Sequence, residues 1–303
     1  MRALVIGFGS IGQRHARVLA GLGLDVAVVS RRPVDHPRVY ADVVQALTEW
    51  RPGYVVVASR TAEHAHDLDL LAGLGFDGVV MMEKPLFDHV HPLPTHRFAR
   101  AYVGFNLRFH PVITAFRQRL AGLDPVALHV CCGSYLPDWR PQADYRKGYS
   151  AIKAEGGGVL RDLSHEIDYT LWFLGGWTSL TAAGGHLSGL EIDSDDAFAL
   201  ILRTPKVDLA TITLDYLDTR PRRQILALTN SGSLKADVVA GTLEWCGEVV
   251  ECFTVARDDT YVAMHHAVLE NDETTLCTLA EGAEVTTVID AVEAAANKQW
   301  VSR

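Results

Sequence analysis

With 303 residues, 48% of them hydrophobic, the chain is long enough for two ordinary hydrophobic cores. Its 37 acidic against 28 basic side chains give a net charge of −9, which disfavours DNA or another polyanion as main partner while leaving room for a small phosphate on a local basic patch. No apolar run approaches the roughly 20 residues of a membrane-spanning helix, so none is expected.

In chain order, the first hundred residues alternate short β-branched runs with helical patterns: "ALVIG", "QRHARVLAGLG", "DVAVVS", "ADVVQALTEW", "YVVVAS", "EHAHDLDLLAGLG", "GVVMME" and "RAYVGFN". Strand, helix and strand in repetition predict right-handed crossovers and a parallel sheet. The opening "MRALVIGFGSIG" enters this pattern within a few residues and leaves no room for a secretory signal, so a cytoplasmic location is expected. Beyond about residue 106 the pattern changes to a helical segment, "PVITAFRQRLAGL", a strand, "VALHVCCGSYL", a loop rich in Trp, Tyr and Arg, and a helix after three glycines. The strands "AFALILRT", "DLATITLDYL", "RQILALTN", "GSLKADVV" and "GTLEWCG" follow, alternating as in a largely antiparallel sheet. The last segment, "EGAEVTTVIDAVEAAANKQW", reads as a closing amphipathic helix. The expectation is an α/β chain of two domains, residues 1–105 and 106–303, with a closing helix able to pack back on the first.

"GFGSIG" places Gly7, Gly9 and Gly12 in GxGxxG spacing, with Ser10 and Ile11 between them, directly after the first strand and at the start of a helix. A tight turn, close backbone approach to a pyrophosphate and amides at a helix N-terminus are what dinucleotide binding needs. An acidic residue at the end of the second strand would bond a ribose 2'-hydroxyl, as NAD requires; the sequence offers Ser30, Arg31 and Arg32 instead. Two guanidiniums and a hydroxyl suit a 2'-phosphate, and no carboxylate is expected beside them to repel it, which favours NADP, with NAD the other candidate. The competing reading is a solvated basic turn.

"VVMMEKPLF" ends an apolar strand in Glu83, Lys84 and Pro85. Ligands sit at the C-terminal ends of parallel strands, so Lys84 is expected near the nicotinamide end of the cofactor as a proton donor or acceptor, with Glu83 anchoring the turn. "GFGSIG", "ASRTAEHAHDLDLLAGLG", "EKP" and "GGGVLRDLSHEIDYTLWFLGG" occur in an order and at a spacing that resemble the Gfo/Idh/MocA oxidoreductases. Within that family, "EKPLF", "NLRFHPV", "DWRPQADYRKGYSA" and "DLSHEIDY" look most like members associated with nucleotide-sugar and nonulosonic acid clusters.

The resemblance implies a Rossmann domain followed by an α/β domain with a large open, mostly antiparallel sheet, and an assembly of two or four copies. It implies an NAD(P)-dependent dehydrogenase acting on a secondary alcohol or ketone of a sugar derivative. Ser59, Arg60, His64 and Glu83 would join the glycine turn on the cofactor side, and Lys84, Asp162 and His165 would be catalytic. Two alternatives stay open: a glycosidase that uses bound NAD for transient oxidation, and a non-catalytic NAD(P)-binding sensor.

On a continuous helix Asp162 and His165 would lie about 60° apart, with Glu166 about 40° from Asp162 on its other side and Asp168 about 120° away, on a different face. Many family members separate the catalytic Asp and His by four residues, whereas "DLSH" separates them by three. Anchoring on "HxxD" keeps His165 as acid/base and leaves Glu166 as an alternative partner to Asp162. The three glycines are expected to allow close approach of backbone to cofactor or substrate, and unusual dihedrals at a helix entry. Substrate-side candidates are Asn106, Arg108 and His110, then Trp139, Arg140, Tyr145, Arg146 and Tyr149, because flat aromatics suit sugar faces and arginines suit a phosphate or carboxylate. The histidines of "EHAH", "DHVH" and "MHH" lack HExxH spacing and read as solvated or capping residues, and Cys131, Cys132, Cys246, Cys252 and Cys277 read as free thiols, so no metal is expected.

Overall fold

The computed structural model describes residues 1–296, so the end of the expected closing helix, residues 297–300, lies outside the described residues. The described chain divides into two compact units, residues 1–109 with 257–286, and 110–256 with 287–296. The expected boundary after residue 105 falls four residues later, and the chain also returns to the first unit after residue 256.

The first unit runs β1 (Arg2–Ile6), α1 (Ser10–Gly21), β2 (Asp25–Val29), β3 (Val39–Tyr40), α2 (Val43–Trp50), β4 (Tyr54–Val57), α3 (His64–Gly73), β5 (Val79–Met82) and β6 (Arg100–Val103). Its β1, β4 and β5 are buried nearly throughout, as a sheet covered on both faces requires. Asp42 starts α2 by accepting from the Gln45 amide, and Arg51 ends it in a left-handed conformation.

The second unit runs α4 (Pro111–Leu120), β7 (Pro125–Gly133), α5 (Val159–Asp162), α6 (His165–Leu174), β8 (Ser179–Gly185), β9 (Ala197–Arg203), β10 (Ala210–Asp215), β11 (Arg222–Thr229), β12 (Gly232–Asp237), β13 (Thr242–Trp245) and β14 (Glu248–Cys252). The chain then returns to the first unit as α7 (Asp259–Glu270) and β15 (Cys277–Thr278), and α8 (Leu279–Ala296) follows. No described helix is long and apolar enough to cross a membrane.

The first sheet has the order β15-β6-β5-β4-β1-β2-β3. Its first six strands are parallel, and β15 closes the β6 edge antiparallel, Cys277 opposite Val103. Met264, Ala267, Val268 and Leu276 of the returning segment join its core with Val5, Leu19, Val28, Val56 and Met81.

The second sheet, β14-β13-β12-β11-β7-β10-β9-β8, is mixed: β7 pairs parallel with β10, and every other neighbour is antiparallel. Alternation along β9 and β10 buries Phe198, Leu200, Leu202, Ala210, Ile212 and Leu214 on one face. Helices α4 and α6 lie against this sheet and bury Val112, Phe116, Ile167 and Phe173. The strand patterns read from the sequence are present, and β3, β8, β14, α7 and β15 are elements that the reading did not place.

Candidate functional site

In the first unit, four parallel strands end side by side. Ile6 lies opposite Val29 and Val57, and Val57 opposite Met82. The chain therefore leaves β1, β2, β4 and β5 along one edge, with Gly7 N donating to Val29 O, Ala58 N to Ile6 O, and Glu83 N to Val57 O. Strand β1 has β2 on one side and β4 on the other, the switch point at which open α/β sheets form their crevice.

The glycine turn sits at that point. Gly7 has φ +89°, and a Cβ there would fall 2.6 Å from Ala58 O; a Cβ on Gly12 would fall 2.0 Å from Gly7 O. Both glycines let the start of α1 lie against the turn. Gly9 precedes α1 with open space around it, no side chain caps the helix, and its first turn has no acid. The positive end of the helix dipole, reached through Ser10 and Ile11, is thus uncompensated by a carboxylate in its first turn, which suits an anionic diphosphate.

After β2, the Ser30 hydroxyl donates to Arg32 O at 2.8 Å and accepts from Arg32 N, forming a tight turn with both arginines exposed. The expectation of no adjoining carboxylate is corrected here. Glu63, at the start of the β4 crossover, pairs its Oε1 with Arg31 Nη2 at 2.5 Å, and this bond and charge raise the Arg31 pKa further. Sequence separation hid this contact.

Ser59 half faces out and donates to Asp67 Oδ2 at 2.5 Å, and Arg60 is exposed. Burial raises the pKa of Asp67. His64 is buried, with Nδ1 3.0 Å from Pro85 O and Nε2 3.3 Å from Ser59 O. Glu83 also turns inward: Oε1 lies 2.7 Å from His15 Nε2, and Oε2 accepts from the Lys84 amide at 3.1 Å. These two side chains brace the strand ends from beneath, which fits the turn-anchoring expected of Glu83 but leaves neither carboxylate nor ring facing outward as expected of cofactor ligands. Lys84 itself is half-buried beyond β5.

Asn106 and Arg108 depart from the substrate-side expectation. Asn106 Nδ2 donates to Thr260 Oγ1 at 2.7 Å, and Arg108, 2% exposed, reaches Leu276 O and Glu281 Oε1 at 3.3 Å. Both tie down the returning segment, a partner that lies some 150 residues downstream.

In the second unit, Asp162 and His165 do not share one helix. Helix α5 ends at Asp162, Leu163 takes φ −97° and ψ 30°, and α6 begins at His165, so the angular argument from a continuous helix does not apply. Asp195 determines this entry: its carbonyl accepts from Val159 N and its Oδ2 from Leu160 N at 3.1 Å.

The three glycines answer to their own chain. Gly156 and Gly158 have φ +85° and +122°, the unusual dihedrals expected at a helix entry. A Cβ on Gly157 would meet Tyr149 O at 2.2 Å, and one on Gly158 would meet Asp195 Oδ1 at 2.4 Å. The close approach they permit is therefore to backbone carbonyls and Asp195, which corrects the expectation of approach to a ligand.

Asp162 Oδ2 accepts from Tyr216 Oη at 2.6 Å, and Tyr216 carries the edge-on ring of Trp139 at 5.2 Å. The sequence reading missed Tyr216; its place just beyond "TITLD" marks the end of a central strand, a common place for functional side chains. Burial and the Asp162 carboxylate push the Tyr216 pKa well up, so it stays a donor. His165 is 8% exposed at the first residue of α6.

Glu166 is fully buried, pairs with Arg223 Nε at 2.7 Å and accepts from Tyr169 Oη at 3.0 Å. Its carboxylate is thus committed to the sheet, which argues against its replacing Asp162. Asp168, read from the helix as lying on another face, is 2% exposed. His110 is buried too, and burial with the nearby Arg223 charge lowers its pKa to about 4.

Trp139 is 39% exposed and donates to Ser134 Oγ, Arg140 is exposed, and the Tyr145 hydroxyl accepts from Glu191 N. Tyr149 Oη donates to Gly156 O at 2.8 Å and so fastens the loop to the glycines. Arg146 pairs with Asp144 and Glu191.

Residues 124–235 match the family described as the GFO/IDH/MocA C-terminal domain. No curated protein matches the chain. Among solved structures it is similar to GenD2 from gentamicin A biosynthesis in complex with NAD, with 20% identity, 98% of this chain and 94% of that one covered, and a TM-score of 0.79. It is similar to the UDP-N-acetylglucosamine 3-dehydrogenase GnnA from Acidithiobacillus ferrooxidans, with 20% identity, 98% and 99% covered, and a TM-score of 0.76. It is also similar to the WlbA dehydrogenase from Bordetella pertussis in complex with NADH and UDP-GlcNAcA, with 17% identity, 97% and 96% covered, and a TM-score of 0.77. The chain has the fold of these solved structures, and residues 124–235, within its second unit, match the GFO/IDH/MocA C-terminal domain.

Proposed function

We propose that the protein is an NAD(P)-dependent oxidoreductase that moves a hydride between a nicotinamide and a secondary alcohol or ketone of a sugar or nucleotide-sugar derivative. The observation that carries this reading is the glycine turn at the switch point, where a Cβ on Gly12 would fall 2.0 Å from Gly7 O while Gly9 faces open space. That cradle fits a dinucleotide diphosphate, with Gly7, Gly9, Ser10, Ile11 and Gly12 around it. The nicotinamide, when bound, supplies the hydride donor or acceptor.

The chain's own groups supply the rest. Lys84, leaving β5 at the same sheet edge, orients and polarises the substrate oxygen. His165 exchanges the hydroxyl proton at the mouth of α6, and Asp162, held by Tyr216, fixes the local charge. Trp139, Tyr145 and Arg140 serve the sugar and its charged substituent. The neighbours bound to NAD, or to NADH with UDP-GlcNAcA, support the cofactor class and the nucleotide-sugar class. For the adenosine ribose, exposed Arg31 and Arg32 favour a 2'-phosphate and so NADP, with Glu63 as the group a phosphate must displace from Arg31.

The test is a fluorescence titration of nucleotide-free protein with NADPH and NADH, followed by a turnover screen of UDP-N-acetylglucosamine and UDP-GlcNAcA with both oxidised cofactors. Saturable binding is expected, tighter for NADPH, and His165→Asn is expected to cut turnover by about 10²–10⁴-fold with cofactor binding unchanged. Failure to bind either cofactor would remove the reading altogether.

A further inference from the structure

Four side chains of the first unit run in a line of short contacts. Tyr54 Oη lies 2.8 Å from His265 Nδ1, His265 Nε2 lies 2.7 Å from His15 Nδ1, and His15 Nε2 lies 2.7 Å from Glu83 Oε1. The Lys84 amide then donates to Glu83 Oε2. Tyr54, His15 and His265 are 0% exposed and Glu83 is 5% exposed, so bulk water is shut off from every link but the Glu83 end. His265 belongs to "MHH", expected to be solvated, and is instead the innermost link.

The direction of the bonds follows from proton counting. A neutral imidazole has one donor and one acceptor nitrogen. Among the described residues His265 is the hydrogen-bond partner of the Tyr54 hydroxyl, so bonds running toward Tyr54 would leave a buried phenolic proton without an acceptor. With Tyr54 donating, His265 accepts on Nδ1 and carries its proton on Nε2. His15 must then do the same, and Glu83 becomes the terminal acceptor on both oxygens, as a carboxylate. Burial and the neighbouring His15 hold His265 well below the ordinary histidine range, in keeping with a neutral ring. Glycine at 104 makes room for the terminus, since a Cβ there would meet Glu83 Oε1 at 3.0 Å, and Tyr261 lies edge-on to His15 at 5.4 Å.

We infer that Tyr54, His265, His15 and Glu83 form a one-way hydrogen-bond chain whose anionic end clamps the backbone of Lys84, making them positioning residues for that lysine. The functional consequence rests on the reading of Lys84 as the group that meets the substrate oxygen. The chain spans β4, α7, α1 and the end of β5, so through Glu83 it ties the exit of Lys84 to three other elements.

The test is imidazole nitrogen NMR on protein labelled at histidine, with His15→Gln and His265→Gln used to assign the two rings. In the unsubstituted protein both rings are expected neutral and protonated at Nε2. Glu83→Gln keeps the shape but leaves one oxygen, which the Lys84 amide claims, so its NH₂ faces His15 Nε2. Both rings are then expected to switch to protonation at Nδ1, which leaves the Tyr54 proton without an acceptor and destabilises the variant. The Lys84 amide, now bonded to a neutral acceptor, is expected to exchange about tenfold faster, with the Leu4 amide of β1 as the unmoved reference.

An Nδ1-protonated or cationic ring in the unsubstituted protein would overturn the chain, and that measurement needs no variant to fold. Unchanged rings together with unchanged Lys84 exchange in Glu83→Gln would overturn it as well. Switched rings with unchanged Lys84 exchange would overturn the positioning role alone. Should Lys84→Met instead retain turnover, the reading of Lys84 fails, while the ring tautomers still decide the chain.

Discussion

Gly9 and Gly12 stand three residues apart in one motif and answer to different constraints. A Cβ on Gly12 would overlap backbone at Gly7 O, 2.0 Å away, and neither partner is a flexible side-chain end. Gly12→Ala must therefore push α1 off the turn, at an expected cost of about 2 kcal/mol or more. Gly9 has φ −76° and no heavy atom near its would-be Cβ. Gly9→Ala is expected to cost about 1 kcal/mol of stability at most, as a cap exchange, and to weaken NADH binding at least tenfold, because on the proposed reading the methyl group would occupy the space of the diphosphate. Thermal melts and fluorescence titrations separate the two effects; undiminished affinity in Gly9→Ala would refute the diphosphate reading of the turn. His110 supports a pH prediction. Its folded pKa of about 4 lies below the ordinary histidine value of 6.5, so the unfolded chain binds the proton first as pH falls. Stability from this group is whole above 6.5 and declines as pH drops through 6.5 toward 4. After allowance for solvent screening the loss is ~2 kcal/mol, and His110→Gln should flatten the denaturation midpoint over that interval.

Between the glycines and Leu174 the sequence shows apolar spacing that fits a single helix, yet the chain forms α5 and α6 with a break at Leu163 and Ser164. Periodicity reports which faces are buried, and here both helices bury nearly everything, so the break leaves no mark on the pattern. Asp195, distant in sequence, fixes the entry into α5, and what holds α6 to the sheet is Glu166 against Arg223. Charged residues in that helix drew notice as chemistry; one of them, Glu166, proves to be half of a buried ion pair. Arg223→Met strands a fully buried carboxylate and is expected to cost 3–5 kcal/mol, with Glu166→Gln in the same chain recovering much of it. Denaturant midpoints of the single and double variants check this. A double variant no more stable than Arg223→Met would mean that the arginine acts through packing rather than through its charge.

Across the whole chain, local order was legible and long-range return was not. The glycine turn, the parallel strands of the first unit and the alternating strands of the second all follow from spacing, because each is decided within a few neighbouring residues. Asn106, Arg108 and His265 of "MHH" depart from their expected places for one shared reason: their partners lie some 150 to 250 residues away, and the sequence "DTYVAMHHAVLE" gives little sign of which domain it joins. That segment completes the first unit. Met264, Ala267, Val268 and Leu276 fill its core, β15 covers the edge of β6, Tyr102 bonds Glu273, and Arg100 reaches Val268 O. Residues 1–109 alone would expose this apolar surface and leave Tyr54 and His15 without His265, in a fragment short enough that a few kcal/mol decide folding. The fragment is expected to lack a cooperative thermal transition, and joining residues 257–286 to it through a flexible linker is expected to restore one, along with NADH binding. Circular dichroism melts of the two fragments decide the matter. A cooperative transition in residues 1–109 alone would show that the returning segment decorates the first unit rather than building it.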